Sequence, residues 1–323
     1  MRRPRRSTPA GQHRAVLLDQ VLAALDVRPG DTVVDCTIGW AGHSCELLRL
    51  VGPTGRLFGL DLDAENLDRA RPRLEEVGHP FSLHHANFAG IAAVLGAQPA
   101  NAILADLGMA SMQVDDPGRG FSYAREGPLD MRMDRSRGRT ALELLKAIHV
   151  DELSAALREL GDEPDADTVA AAITAAARAG AMTTTTDLAR VVQEALKAPQ
   201  QWKLRAGPAQ WKTHPAARTF QTLRILVNRE LANLQQLLRV LPAVLAPGGR
   251  AAIISFHSGE DRLVKSAFRD GLRAGVYVEV SEEPVRAGFA EKQDNPRSRS
   301  AKLRRARRAV RPGLATKESR RYS

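Results

Sequence analysis

The stretch at 31–63, DTVVDCTIGWAGHSCELLRLVGPTGRLFGLDLD, constrains the fold more than any other part of the chain. β-Branched Val33 and Val34 lead into Asp35. The loop Thr37-Ile38-Gly39-Trp40-Ala41-Gly42 is short and holds two glycines, as backbone passing close to a ligand requires. From His43 to Leu50 the apolar residues Leu47, Leu48 and Leu50 recur at helical spacing, and Gly52, Pro53 and Gly55 stop that helix. Leu57 to Leu60 reads as a second apolar strand with Asp61 at its tip. Strand, glycine turn, helix, strand and carboxylate together predict the first half of a doubly wound nucleotide-binding sheet. The turn supports the ligand, and Asp61 accepts the protons of the ribose diol.

The acid that ends the first strand narrows the nucleotide. A hydride-transfer fingerprint, G-x-G-x-x-G, has no acid ahead of its glycines, whereas Asp35 precedes them here. An acid at that point suits S-adenosylmethionine, whose amino-acid end carries an ammonium. Gly39-x-x-Gly42 departs from the alternating glycines of most methyltransferases, because Thr37 and Ala41 occupy two of those places. On this stretch alone, a glycine-rich turn in any α/β protein is the alternative.

The rest of the chain continues the alternation. His13 to Leu25 is an amphipathic helix ahead of the first strand, and Ala64 to Val77 is the helix after the second, with Pro72 inside it. Phe81 to His85 predicts a third strand ending near Asn87-Phe88, and Ala102 to Ala105 a fourth ending at Asp106. Then the pattern breaks. Gly108 to Asp134, with its glycines, prolines and methionines, is too long for a connection and reads as an ordered functional loop. From Thr140 the chain is helical and Ala-rich, and the run Thr183–Thr186 supplies an N-cap for Asp187 to Leu196. Trp202 and Trp211 stand in a basic loop, where packing is favoured over base stacking. Thr219 to Leu245 predicts one long helix, Ala251 to Phe256 a fifth strand ending at His257, Asp261 to Phe268 a helix, and Val276 to Val280 the last strand. The expected organisation is a basic N-terminal tail at 1–12 and a mostly parallel Rossmann-like sheet domain split between 13–114 and 214–296. A helical domain is inserted at 115–213, and a basic C-terminal tail runs over 297–323.

Composition sets bounds on the partner. Residues 1–6 carry +4 and residues 297–323 carry +10, so the net +10 of the chain leaves −4 for 7–296. The body is mildly acidic and the basicity is terminal, which points to a polyanion such as nucleic acid. No apolar run approaches the ~20 residues of a membrane span, and no apolar core follows the basic start, so a soluble cytoplasmic protein is expected. Cys36 and Cys45 match no metal spacing; they read as buried, reduced thiols, and no metal site is expected.

Ligands of such sheets bind outside the carboxyl ends of the parallel strands, where Asp35, Asp61, Phe88, Asp106 and His257 fall. Carboxylates around an aromatic fit an adenosine with a cationic tail. Each acid has a plainer reading as a helix cap.

At this point the motifs carry a resemblance. DCTIGWAGHS at 35–44, GLDLD at 59–63, DLGMASMQVDDPGRGFSY at 106–123, GPLDMRMD at 127–134, FQTLRILVN at 220–228, SFHSGEDR at 255–262 and NPRSRSAKLR at 295–304 run through nearly the whole chain. Together they resemble the bacterial S-adenosylmethionine-dependent methyltransferases that modify N4 of a cytidine in the decoding region of 16S rRNA. The resemblance implies a class I methyltransferase fold and a small-subunit rRNA partner. It also implies cofactor contacts at Ala41, Gly42, His43, Asp61, Phe88, Asp106 and Gln113, and an insert that helps recognise the substrate. Ala41 stands where the family has glycine, placing a methyl group on the ligand side. Ala110 and Gly259 replace a serine and a leucine of the family pattern, and 161–173 lacks that segment's usual basic residues.

Transfer to an exocyclic amine requires the nitrogen lone pair to be aimed at the methyl carbon, with an acceptor near the growing charge. The proline-rich motif of many amino-methyltransferases is absent, and Asp106-Leu107-Gly108 stands in its place. Asp106, Asp130 and His257 are the candidates for holding the cytosine, which enters unstacked. The alternatives are an rRNA-binding assembly protein with impaired catalysis on the same fold, and a small-molecule methyltransferase. The sequence leaves the oligomeric state open.

Overall fold

The structure is a computed structural model that describes residues 15–109, 111–197 and 214–310. The expected tail at 1–12, Ala110, Trp202, Trp211 and residues 311–323 lie outside the described residues. The chain divides into two compact units, one of Met1–Gly108 with Asn233–Ser323 and one of Met109–Ala232.

In the first unit the chain runs α1 (Leu18–Leu25), β1 (Thr32–Asp35), α2 (Gly42–Val51), β2 (Arg56–Asp61), α3 (Ala64–Val77), β3 (Phe81–His85), α4 (Ile91–Leu95) and β4 (Ala100–Asp106). The second unit holds α5 (Ser111–Asp115), α6 (Ala141–Ala147), α7 (Val150–Gly161), α8 (Ala166–Arg178), α9 (Thr185–Ala195) and α10 (Ala217–Asn228). Then α11 (Glu230–Val244) leads into β5 (Leu245–Ser255), α12 (Ser258–Arg273), β6 (Tyr277–Val280), α13 (Phe289–Asp294) and β7 (Lys302–Arg308).

The strands form one seven-stranded sheet in the order β3-β2-β1-β4-β5-β7-β6. β1 to β5 pair in parallel, and β7 runs antiparallel between β5 and β6. This is the doubly wound arrangement of class I methyltransferases. Successive strand residues point to opposite faces. Val33, Leu57 and Leu104 pack with Leu17, Leu25, Leu47 and Leu74 on one face. Val34, Phe58 and Ile103 pack with Leu234, Leu237, Leu241 and Phe268 on the other. Because both faces are covered, β1 is buried along its whole length, as a central parallel strand should be. The chain order reverses between β1 and β4, which opens a crevice at their carboxyl ends.

The second unit has its own core. Met131, Leu145, Leu153, Leu157, Ile173, Leu188 and Phe220 pack among small residues, including Ala166, Ala170 and Ala177 of α8. Capping boxes at Thr140–Glu143 and Thr184–Asp187 set the starts of α6 and α9. The second follows the expectation for the threonine run. No described helix is long and apolar enough to cross a membrane.

Three expectations are corrected. The helix before β1 starts at Leu18, because Leu17 is left-handed at φ 55° and neighbouring groups are engaged elsewhere. The Leu17 amide donates to Glu291 Oε1 at 2.7 Å and the Val16 carbonyl accepts from His43 Nε2 at 2.9 Å. The long helix expected over 219–245 is two helices, broken at Arg229 with φ 52°. There the Asn228 side-chain amide donates to the Met131 and Arg224 carbonyls and accepts the Met133 amide.

The third correction concerns the basic tail. Residues 302–308, KLRRARR, are β7, hydrogen-bonded on both sides inside the sheet. Leu303 and Ala306 alternate into the two cores. Arg304 is 2% exposed. Its guanidinium donates to Asp261 Oδ1 at 2.6 Å and to the Glu282 carbonyl at 3.1 Å, while Lys302 Nζ donates to Asp261 Oδ2 at 3.1 Å. Burial pushes the Asp261 carboxyl up, but Arg304 and Lys302 outweigh it and hold the group below its ordinary range.

A chain ended after residue 310 should keep the cooperative unfolding of the full protein, and one ended after 303 should lose it. Arg304→Ala should destabilise by about 3–5 kcal/mol, because it strands Asp261 partly buried without its main partner. Denaturant titration followed by circular dichroism checks both.

Candidate active site

The loop between β1 and α2 is held from three strands. Asp35, 1% exposed at the end of β1, accepts the Thr37 amide on Oδ1 at 3.1 Å and the Ser44 hydroxyl on Oδ2 at 2.6 Å. It therefore braces the loop from inside. From β2, Asp61 Oδ2 accepts the Gly39 amide at 2.9 Å. From β4, the Asp106 amide donates to Thr37 Oγ1 at 2.7 Å. The sequence reading places Thr37 in the loop without this bracing role and gives Ser44 and Asn66 none; the only signal for them is that hydroxyl and amide side chains flank the glycines and the acid.

Two residues of the loop take left-handed backbone, Gly39 at φ 49° and Ala41 at φ 59°. Glycine meets that demand freely, whereas alanine is strained. Ala41 is 0% exposed and packs in the core beside Leu17 and Cys45. Its methyl group is thus turned into the protein, which corrects the expectation that it faces the ligand. Gly42 opens α2 against Ala15, whose Cβ lies 3.2 Å from where a Cβ on Gly42 would stand. The first turn of α2 carries no acidic residue. The amides of a first turn lack partners within the helix, so this end favours an anionic group.

Asp61 is half-buried at the tip of β2. Besides Gly39 it accepts the Asp63 amide at 2.9 Å and Asn66 Nδ2 at 3.2 Å on Oδ1. A carboxylate has about four lone-pair sites, so one on Oδ2 remains for a hydroxyl. Burial pushes its pKa up to about 6, against the hydrogen bonds from Asp63, Gly39 and Asn66. The helix-cap role falls to Asp63, which accepts the Glu65 amide at 3.2 Å. Next to Asp61, whose carbonyl accepts the Ala86 amide at 3.0 Å, the chain turns through Asn87 into half-buried Phe88.

Asp106 ends β4. Its Oδ1 is buried and has no hydrogen-bond partner among the described residues. Burial raises its pKa, with nearby Asp35 adding to the effect and His43 opposing it. His43 Nε2 faces the Val16 carbonyl, which only accepts, so Nε2 carries a proton. That leaves Nδ1 3.9 Å from Asp106 Oδ2. The structure thus brings together Ala41, Gly42, His43, Asp61, Phe88 and Asp106 on the loop or at the carboxyl edge of one sheet. Gln113, on α5, is buried in the other unit.

The other two amine-holding candidates have structural employment. Asp130 belongs to the second unit, where both its oxygens accept from Arg132, at 2.7 and 3.0 Å. Burial pushes its carboxyl up, but Arg132 outweighs this and the pKa is lowered. His257 is the N-cap of α12. Its Nδ1 accepts the Glu260 amide at 3.4 Å, and Glu260 Oε2 accepts the amides of Phe256 and His257 at 2.8 and 3.3 Å.

The pattern of the MraW methylase family matches residues 10–309. The chain belongs to that family. Ribosomal RNA small subunit methyltransferase H 2 of Alkaliphilus metalliredigens is 42% identical over 304 residues, covering 92% of this chain and 86% of the relative. Ribosomal RNA small subunit methyltransferase H of Sorangium cellulosum is 45% identical over 301 residues, covering 92% and 91%. Among solved structures, an rRNA methylase from Streptococcus thermophilus is 10% identical with a TM-score of 0.41, covering 90% of this chain and 93% of that one. At that score the likeness has no bearing on function. As an MraW methylase the chain is a methyltransferase, with S-adenosylmethionine as methyl donor.

Ala41→Gly should shift stability by less than about 1 kcal/mol. Relief of left-handed strain, about 1–2 kcal/mol, is offset by removal of a buried methyl group and a more flexible unfolded chain. Thermal unfolding of the two proteins measures it, and a drop above about 2 kcal/mol would show that the buried methyl dominates.

Proposed function

We propose that this MraW methylase transfers a methyl group to the exocyclic N4 amine of one cytidine in the decoding region of 16S rRNA, acting in the cytoplasm on the small ribosomal subunit. The observation that carries the reading is Asp106: a strand-tip carboxylate beside His43, its pKa raised by burial against the Gly108 amide, whose buried Oδ1 has no hydrogen-bond partner among the described residues. The relatives' names support small-subunit rRNA as the acceptor. The motifs that resemble the cytosine-N4 enzymes support the amine.

The residues present fit the donor. Asp61 holds the ribose through its remaining lone pair. The amides of Gly42 and His43, at an end of α2 without acidic side chains, suit the methionyl carboxylate. Phe88 would flank the adenine. Bound there, S-adenosylmethionine supplies a methyl group on a positively charged sulfur. Asp106 Oδ1 accepts a hydrogen bond from the cytosine amine, aims its lone pair and stabilises the charge that grows on nitrogen. The amine proton leaves after transfer, and a carboxylate of raised pKa beside His43 is placed to receive it. Asp130 fixes the 130–132 backbone of its own unit, and His257 caps α12 just after β5. The domain reading follows: the sheet unit does the chemistry, and the helical insert recognises RNA.

The deciding experiment incubates the protein with small subunits and labelled donor, digests the rRNA and locates the label by mass spectrometry. N4-methylcytidine at one decoding-region site is expected. A methyl group on adenine, cytosine C5 or a ribose hydroxyl would overturn the acceptor. No label at all would favour an assembly protein with impaired catalysis.

Asp61→Ala should weaken donor binding more than about ten-fold, through removal of a charge-assisted hydrogen bond. In the native protein the affinity should fall as pH drops through about 6, because the protonated carboxyl is a weaker acceptor for the ribose hydroxyl. By pH 5 the loss should reach about ten-fold. The contribution of Asp61 to folding has the opposite sign. Its folded pKa is raised above 3.8, so the stability it adds is present below that value and is lost as pH rises through about 6. Calorimetric titration from pH 5 to 8 separates the two effects.

Asp106→Asn should lower single-turnover methyl transfer by at least about a hundred-fold. Turnover of the native chain should decline as pH falls and Asp106 takes up a proton. Rates within a factor of three of the native enzyme would remove Asp106 from the chemistry.

A further inference from the structure

We infer that the excursion between β6 and β7 is a contact surface for an unpaired nucleotide flanking the target, with Phe289 stacking on its base. This rests on the rRNA reading above.

The excursion stands at the carboxyl edge of the sheet. β6 continues past Val280 through the Ser281 amide, which donates to the Arg305 carbonyl at 3.0 Å, and through the Val285–Leu303 bridge. The chain returns down β7, whose first residue pairs with Ser255, the last of β5. Residues 286–301 therefore lie at the edge where Asp61 and Asp106 end their strands.

The excursion is also tied to the cofactor loop. Glu291 of α13 accepts the Leu17 amide at 2.7 Å, and the Val16 carbonyl accepts from His43 in the first turn of α2. Ala287, Ser298 and Ala301 are buried, and Arg299 Nε donates to the Lys292 carbonyl at 3.2 Å. This is a built segment rather than loose chain.

Its aromatic residue is nonetheless left in water. Phe289 is 78% exposed, more than any other exposed large apolar side chain among the described residues. The same segment buries Ala287 two residues earlier. Along the excursion the sequence places Arg286, Lys292, Arg297 and Arg299 against Glu291 and Asp294, and Glu291 is already engaged by Leu17. A protein partner would call for a wider apolar face. An aromatic among cations instead matches single-stranded nucleic acid, whose bases stack on rings while arginines meet the phosphates. A target that enters unstacked leaves its neighbours with an open face.

The test compares Phe289→Ala and Phe289→Trp with the native protein, using small subunits as substrate. Phe289 is exposed, so both variants should fold, with unchanged melting temperature and donor affinity. Phe289→Ala should lower kcat/KM for subunits by about ten-fold, mainly through KM, and Trp should restore it. Arg286→Gln with Arg299→Gln should flatten the salt dependence of subunit binding, by about 0.7 in logarithmic slope for each phosphate no longer neutralised, which Phe289→Ala should not do. Equal kcat/KM for Phe289→Ala and native protein overturns the inference. So does a change of oligomeric state in Phe289→Ala, which would make the ring a protein contact. If the native protein labels no rRNA, the rRNA reading falls first and this inference with it; normal labelling with an unaffected Phe289→Ala removes this inference alone.

Discussion

The rest of the site depends on how one loop is pinned. The turn from β1 to α2 contains two left-handed residues, and such a turn has little intrinsic reason to hold one shape. Asp35 and Asp61, from neighbouring strands, and Thr37, bonded to the end of β4, impose that shape from three directions. The cost is burial of carboxylates. Asp35 and Asp106 are both pushed upward by desolvation, and Asp35 raises Asp106 further. His43 opposes both shifts, and the Val16 carbonyl keeps its Nε2 protonated. A cationic ligand entering the cleft would favour the carboxylate, the form that can accept the amine hydrogen bond.

The sequence was informative where the controlling interactions are local. Glycines, helix stops and strand-tip acids lie within a few residues of what they determine, and β1, α3 and β3 appear where their patterns placed them. It failed where the partner is distant. KLRRARR reads as a charge run because Arg304 is compensated by Asp261, 43 positions earlier. The alternation of Leu303 and Ala306 into two cores is a weak strand pattern, and the intervening cations hide it. The break at Arg229 had a local sign, Asn228 ahead of a charged pair. Its cause is long-range, since Asn228 holds the backbone of Met131 and Met133.

The candidate site divides in the same way. Asp61 was legible from position alone, because the end of a second parallel strand is where a ribose diol reaches. His43 and Gln113 entered through family motifs. Among the residues proposed to hold the amine, residue type could not separate chemistry from scaffolding. Asp130 and His257 are the right kinds of group, yet Arg132 and the start of α12 use them. A buried atom without a hydrogen-bond partner does not separate them either, since Asp106 Oδ1 and His257 Nε2 share that property among the described residues; Asp106 is set apart by its place at the tip of β4 beside His43.

The strand β7 also alters how the protein meets a polyanion. Counted along the sequence, the positive charge after 296 reads as one reservoir. In the fold, Arg304 and Lys302 are paired with Asp261, and Arg305 with Glu279. Those cations hold the sheet together and are poorly placed to meet phosphate. The cations just before β7, Arg297 and Arg299, belong to the excursion that carries the exposed Phe289, and Arg299 Nε donates to the Lys292 carbonyl. If the excursion meets RNA as inferred, placement rather than net charge would direct the substrate, because a phosphate drawn to the carboxyl edge would bring its base to the crevice, whereas charge spread over β7 would draw it to the side of the sheet.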